Sequence, residues 1–99
     1  MWVLEYFPDV ERWFDKLTEE QAKSVSKELL MLRQSGNELQ LPHSKALGKR
    51  LFELRERRYG YRVYYTFSSR EIIILLTAGN KATQKNDIQK ARQRLGKLQ

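Results

Sequence analysis

The sequence predicts an α+β domain with its elements in the order β-α-α-β-β-β-α: a small, mostly antiparallel sheet packed by an N-terminal helical hairpin and a C-terminal helix. Three observations carry that prediction. Apolar residues recur at helical spacing between Val10 and Leu32, alternate with a period of two through residues 51–67, and return to helical spacing from Ile88 to Leu95. With 99 residues and no repeat, linker or low-complexity segment, residues 1–99 read as one domain that buries a single modest core.

Residues 2–7 read as a short first strand, stopped by Pro8-Asp9. Val10, Trp13, Phe14 and Leu17 then fall at i, i+3, i+4 and i+7, one apolar helical stripe. Thr18, with Gln21 three residues on, forms a capping-box pattern. The helix it opens carries Ala22, Val25, Leu29 and Leu32 on one face and Gly36 just past its end. Two helices divided only by Thr18 predict an antiparallel or bent hairpin over the sheet, with Trp2, Trp13 and Phe14 in the core. Residues 37–49, with Pro42 and Gly48, read as a connecting loop.

Alternation takes over next. In residues 51–57, Phe52 and Leu54 oppose Glu53, Arg55 and Arg57. In residues 61–67, Tyr61, Val63, Tyr65 and Phe67 share one face, and Arg62, Tyr64 and Thr66 the other. Residues 72–76 are apolar on both faces, as in a central strand. Turns at Arg58-Tyr59-Gly60 and Ser68-Ser69-Arg70 predict consecutive antiparallel hairpins. Asn86 reads as the cap of the last helix, with Gln89 at the box position and Ile88, Ala91 and Leu95 as its stripe.

Charge is divided along the chain. Residues 1–42 hold five Lys/Arg against eight Asp/Glu, residues 43–99 fourteen against four, and the net charge is +7. The asymmetry implies a face that meets a polyanion. There is no cysteine, which excludes disulfides and thiolate metal sites. No apolar run approaches the roughly 20 residues that span a bilayer, and the N-terminus lacks a basic region and an apolar stretch, so neither a membrane segment nor a signal peptide is expected. A cytoplasmic protein is expected.

The cations gather on the second half. If the strands pair in sequence, Arg55 and Arg62 lie side by side on the non-core face, where two guanidinium groups match the oxygens of a phosphate. Tyr64, on the same face, offers a ring on which an unpaired base can stack. Gly79 permits a turn after the central strand and delivers Lys81 to the sheet end beside Arg62, with Lys85 further on and Thr83 and Gln84 as uncharged donors. The pattern is not a P-loop. His43 is the only histidine and lies in the Pro42 loop, outside this cluster. No Ser-His-Asp arrangement and no metal-ligand spacing is present, so no metal or other cofactor is expected.

Leu47-Gly48 leading into Leu51-Phe52-Glu53-Leu54-Arg55, then Gly60-Tyr61-Arg62-Val63-Tyr64-Tyr65, the Gly79-Asn80-Lys81-Ala82-Thr83-Gln84-Lys85 loop and a closing helix with Ala91-x-x-Arg94 together resemble the RelE/ParE superfamily of type II toxins, most closely its HigB-like (phage Gp49-like) branch. The resemblance runs nearly end to end. It implies a RelE-like fold and an mRNA endoribonuclease that acts in the A site of the 30S ribosome, arrests translation, and is silenced by a co-encoded antitoxin, a small helix-turn-helix protein through which alone operator DNA would be bound. Arg62 matches the arginine aimed at the scissile phosphate. Arg55 matches a basic position on the neighbouring strand, Lys81 a basic position after the glycine, and Lys85 the second lysine of the loop. Ala82 and Asn80 stand where the loop of this branch more often carries cations, and nothing matches the histidines or late tyrosine of some relatives.

Those matches imply cleavage without a metal, with the RNA 2′-hydroxyl as nucleophile. Arg62 and Arg55 would stabilise the charge gained in the transition state, with Arg57, Thr83, Gln84, Glu53 and Tyr64 contacting substrate. A lysine among cations releases its proton more readily because like charges repel, so Lys81 or Lys85 is the expected proton carrier, with Glu53 as a fallback base if it is not salt-bridged to Arg55. Two other readings of the same fold stay open: a ParE-like gyrase poison, and a non-catalytic nucleic-acid-binding module.

Overall fold

The computed structural model describes residues 1–69 and 71–98, with Arg70 and Gln99 outside the described residues. Its elements are β1 (Val3–Tyr6), α1 (Pro8–Asp15), α2 (Glu19–Ser35), β2 (Ser44–Gly48), β3 (Leu51–Glu56), β4 (Tyr61–Ser69), β5 (Ile72–Asn80) and α3 (Gln84–Lys97), with short 3₁₀ turns at Gly36–Glu38 and Lys81–Thr83. The predicted α+β class and the helical hairpin are present. The five-stranded sheet has the order β1-β5-β4-β3-β2. β1 runs parallel to β5, and the other neighbouring strands are antiparallel.

Pro8 opens α1 at its first turn rather than only ending β1, because its fixed φ suits a position whose N–H has no helical partner. The Thr18 capping box forms as predicted: the Gln21 amide donates to the Thr18 hydroxyl at 3.2 Å, and the Thr18 amide to the Gln21 side chain at 2.9 Å. Gly36 ends α2 at φ 53°, where a Cβ would overlap the Trp2 indole at 1.9 Å, so this position requires glycine twice over.

Three expectations are corrected. Residues 37–49 are not simply a loop: they contain β2, an exposed edge strand paired with β3. The connecting turn places Lys49 and Arg50 at φ 51° and 70°, without the Asn-Gly chemistry that announces such a hairpin. The strand of Ile72–Leu76 lies inside the sheet as expected, paired with β1 on one edge and β4 on the other; it is apolar on both faces because helices cover both sides. Ser68 and Ser69 belong to β4, and the rest of that predicted turn, Arg70, lies outside the described residues. Finally α3 starts at Gln84, not after Asn86. Asn80 caps the 3₁₀ turn that leads into it, accepting from the Thr83 amide at 3.1 Å, and Thr83 stands at the N-cap of α3 without a side-chain cap bond.

The core has two layers. Val10, Leu32, Leu54, Val63, Tyr65, Ile73 and Leu75 pack between the sheet and the helical hairpin, with Trp2, Trp13 and Leu29 against them. On the opposite face Leu51, Tyr64 and Leu76 pack under Ala91 and Leu95 of α3. The face predicted to be non-core is therefore largely covered, because the Ile88–Ala91–Leu95 stripe needs an apolar partner and finds it there. Among the described residues no helix is long and apolar enough to cross a membrane.

One clamp ties the end of the chain to its beginning. Arg94 of α3 donates to both Asp9 oxygens, at 2.8 and 2.9 Å, and to the Leu76 carbonyl at 2.7 Å, and its guanidinium lies 4.4 Å from the centre of the Phe7 ring. The Arg94 bonds, against the opposing effect of partial burial and with help from Lys90, hold the Asp9 carboxyl at about 2. The native state thus prefers the ionised carboxyl. Its contribution is complete above the ordinary value of 3.8 and is lost as pH falls through about 2. Arg94→Ala is expected to cost about 1–2 kcal/mol at neutral pH, allowing for the partial exposure of Asp9. In urea unfolding followed from pH 7 down to pH 2, the gap between wild type and variant should narrow below about pH 4; a gap that does not change with pH would show the clamp to be unimportant.

Candidate functional site: an arginine pair around a buried carboxylate

The register of the central strands makes the site. Arg55 of β3 lies directly opposite Arg62 of β4, and Glu53 opposite Tyr64. Since side chains two apart share a face, all four project on the α3 side. Two guanidinium groups on facing positions repel unless an anion lies between them, and Glu53 supplies it. Its Oε1 accepts from Arg55 Nε at 2.8 Å, and its Oε2 lies 3.6 Å from Arg62 Nε. Gln84, the first residue of α3, donates its Nε2 to Glu53 Oε2 at 2.9 Å. One carboxylate thus joins β3, β4 and the start of α3.

Burial sets the roles. Glu53 is 1% exposed, while the Arg55 and Arg62 side chains are 30% and 20% exposed. Burial pushes the Glu53 carboxyl up, but the bonds from Arg55 and Gln84 outweigh it and hold the group below its ordinary range. Glu53 is a fixed counter-charge, already bonded on both oxygens, and the fallback-base role does not fit it. The predicted Glu53–Arg55 salt bridge is present. Two cations and one anion leave the cluster one positive charge in excess. Arg62 Nε and Tyr64 Oη are buried with no hydrogen-bond partner among the described residues, so the pair is not saturated from within.

Tyr64 requires a correction. Its ring is 0% exposed, sealed under α3, and cannot stack on a base. Burial, with the Glu53 carboxylate adding to it, pushes its phenol well up, so it stays neutral. The loop residues are also redistributed. Gly79 does not make a turn: it lies within β5 opposite Arg62, and a Cβ there would meet Asp87 Oδ2 at 2.0 Å and Thr83 Oγ1 at 2.3 Å. It lets the start of α3 close onto the sheet. Thr83 is a brace, donating its hydroxyl to Asp87 Oδ2 at 2.6 Å, and one N–H of Gln84 is held by Glu53, so both build the frame of the site. Lys81 and Lys85 are exposed on either side of Gln84, and Arg57 is exposed in the β3–β4 turn. His43 sits just before β2, with Nδ1 3.1 Å from Glu28 Oε1.

The sequence reading missed two carboxylates that organise the site. Asp87 braces Thr83, and the i+4 spacing of the two on a helix was the available signal. Glu56 is buried and accepts from the Arg58, Tyr59 and Tyr61 amides at 2.9, 3.1 and 3.4 Å, shaping the turn that joins the two arginine strands; a carboxylate just before a turn was its only mark.

Two variants probe this geometry. Gly79→Ala is expected to cost about 1–3 kcal/mol, as overpacking does, and to speed amide exchange in residues 81–87; unchanged exchange would show that the close approach is dispensable. Glu53→Gln leaves the two guanidinium groups without their counter-charge and should cost about 1–3 kcal/mol, moderated by their partial exposure. Inorganic phosphate at matched ionic strength should raise the melting temperature of Glu53→Gln more than that of wild type. An equal rise would mean that the arginines do not hold an anion.

The chain matches the family model described as phage-derived protein Gp49-like over residues 12–96. It is 35% identical over 81 residues to an uncharacterized protein of Haemophilus influenzae, covering 81% of this chain and 79% of that one. Among solved structures, the isolated E. coli RelE toxin superposes with a TM-score of 0.67 at 15% identity, over 87% of this chain and 95% of RelE. A doubly substituted E. coli RelE in the free state gives 0.74 at 16% identity, over 94% and 96%. RelE in the intact E. coli RelBE toxin–antitoxin complex gives 0.67 at 17%, over 81% and 96%. Their shared architecture is the one described above, and the chain belongs to the phage-derived Gp49-like family, built on the RelE fold.

Proposed function

We propose that this protein is the toxin of a type II toxin–antitoxin pair and acts as an mRNA endoribonuclease on translating ribosomes, inhibiting translation. The observation that carries the reading is the cross-strand Arg55–Arg62 pair, set around buried Glu53 with its cluster one charge short of neutrality. Membership in the Gp49-like family and the likeness to E. coli RelE support it, and the RelBE complex supports an antitoxin as partner, with operator DNA reached only through it.

In the proposed reaction the 2′-hydroxyl oxygen attacks the adjacent phosphorus as its proton leaves. The bond to the 5′-oxygen breaks, and that oxygen takes up a proton, giving a 2′,3′-cyclic phosphate and a 5′-hydroxyl. The phosphorane that forms gains negative charge on its non-bridging oxygens. Arg62 and Arg55, fixed by Glu53 before substrate arrives, stabilise that charge more than the ground state. Each guanidinium turns its Nε edge to Glu53 and Arg62 Nη1 leans on the Gly60 carbonyl at 3.5 Å, so Arg62 Nη2 and the terminal nitrogens of Arg55 are the ones offered to phosphate. Lys81, in the 3₁₀ turn before α3, and Lys85, in the first turn of α3, are the proposed proton carriers.

Arg62→Ala is expected to lower cleavage by roughly 10²–10³-fold while the fold and antitoxin binding persist. The check is to map transcript ends in cells after induction and to measure melting and antitoxin affinity of the purified variant. Cleavage at the wild-type rate would refute the assignment, and intact transcripts with an active DNA-damage response would point to gyrase instead.

A further inference from the structure

We propose that the groove between α2 and the β3–β4 turn is a second phosphate-binding subsite, holding the backbone of single-stranded RNA as it leaves the Arg55–Arg62 pair; this rests on the RNA-cleaving reading above. The groove has a volume of about 520 Å³. Lys23 and Lys27 line it from α2, and Arg57 and Arg58 from the turn. All four are exposed, and among the described residues none is ion-paired.

The carboxylates of the groove are turned to other partners and, among the described residues, form no ion pair with its lysines and arginines. Glu28 is turned to His43 at 3.1 Å. Glu56 accepts from the turn amides and, at 2.6 Å, from the Ser24 hydroxyl. With Glu20, exposed on the first turn of α2, three carboxylates stand against four cations, so the lining carries one positive charge in excess. A groove lined this way is stabilised by an anion from outside. Lys23 and Lys27 stand one helical turn apart, about 6 Å between Cβ atoms, a step that suits successive phosphates of one strand.

Continuity selects RNA as the occupant. The turn that bears Arg57 and Arg58 joins the strand of Arg55 to the strand of Arg62, so groove and pair meet at one end of the sheet, on opposite faces. Between them stands Tyr59, half-buried, its ring 6.0 Å from that of Tyr61 in a stacked arrangement and 5.2 Å from the Arg58 guanidinium. An anchored ring beside cations is a platform for an unpaired base. It supplies, at the crossing point, the stacking surface that buried Tyr64 does not.

The test uses the full chain and 2′-O-methyl oligoribonucleotides, which bind but have no free 2′-hydroxyl to attack, at lengths of about four and about twelve nucleotides. The double variant K23Q/K27Q is expected to lose about tenfold in affinity for the long probe and nothing for the short one. Its salt dependence on the long probe should fall by roughly 1.4 in log–log slope, the value for two phosphate contacts. Wild-type affinity for the long probe overturns the subsite. So does an equal loss on both lengths, or a loss seen only with a poly-glutamate peptide, which would make the groove a protein-docking surface. Because the probes are not cut, the two readings separate: an Arg62→Ala chain that still cuts RNA removes the nuclease assignment, whereas a K23Q/K27Q chain that binds the long probe normally removes the subsite.

Discussion

The working end of this molecule depends on one buried carboxylate. Without Glu53, strand register would set the guanidinium groups of Arg55 and Arg62 against each other on the same face. With it, each arginine has a fixed partner on one edge and terminal nitrogens to offer on the other. The same carboxylate holds Gln84 and so fixes where α3 begins, together with the 3₁₀ turn before it and the exposed Lys81 and Lys85. A side chain that looks like a candidate base is thus a counter-charge. Its hydrogen bonds hold it ionised despite burial, and an ionised, doubly bonded carboxylate is a poor acceptor for another proton.

The two-sided core explains why the site lies at a sheet end and not on a sheet face. The helical hairpin covers one side and α3 the other, leaving polar groups open only where the helices stop. Gly79 permits α3 to close down there, and Asp87 with Thr83 locks the approach. At the other end of α3 the Asp9–Arg94 clamp holds the helix to α1. The helix that borders the arginine pair is therefore anchored at both ends, and groups mounted on rigid elements keep the geometry that charge stabilisation needs.

The elements that could be read from the sequence were those with a strong period. The α2 cap at Thr18 and Gln21, the alternation of β3 and β4 and the α3 stripe are all local patterns. The short β2 edge was invisible because it alternates nothing: its pairing with β3 creates it, and its turn uses Lys49 and Arg50 where glycine or asparagine would signal a hairpin. The start of α3 was misplaced for a related reason. Asn86 reads as a cap, but the Asn80-capped 3₁₀ turn, the Thr83–Asp87 brace against Gly79 and the Gln84–Glu53 bond start the helix at Gln84.

For the site, the chain alone determined that Glu53 shares a face of its strand with Arg55, and Arg62 a face of the next strand with Tyr64, because alternation along a strand is a property of the backbone. It determined as well the polarity of charge along the molecule. Tertiary structure alone decided what those shared positions mean. That Arg55 faces Arg62, that Glu53 is sealed between them, that Tyr64 disappears under α3 and that Glu56 bonds Ser24 and Glu28 faces His43 all follow from pairing and packing between residues distant in sequence. Local periodicity specifies the direction in which a side chain leaves the backbone. Its neighbour, its burial and its charge balance are set by the segment that packs against it.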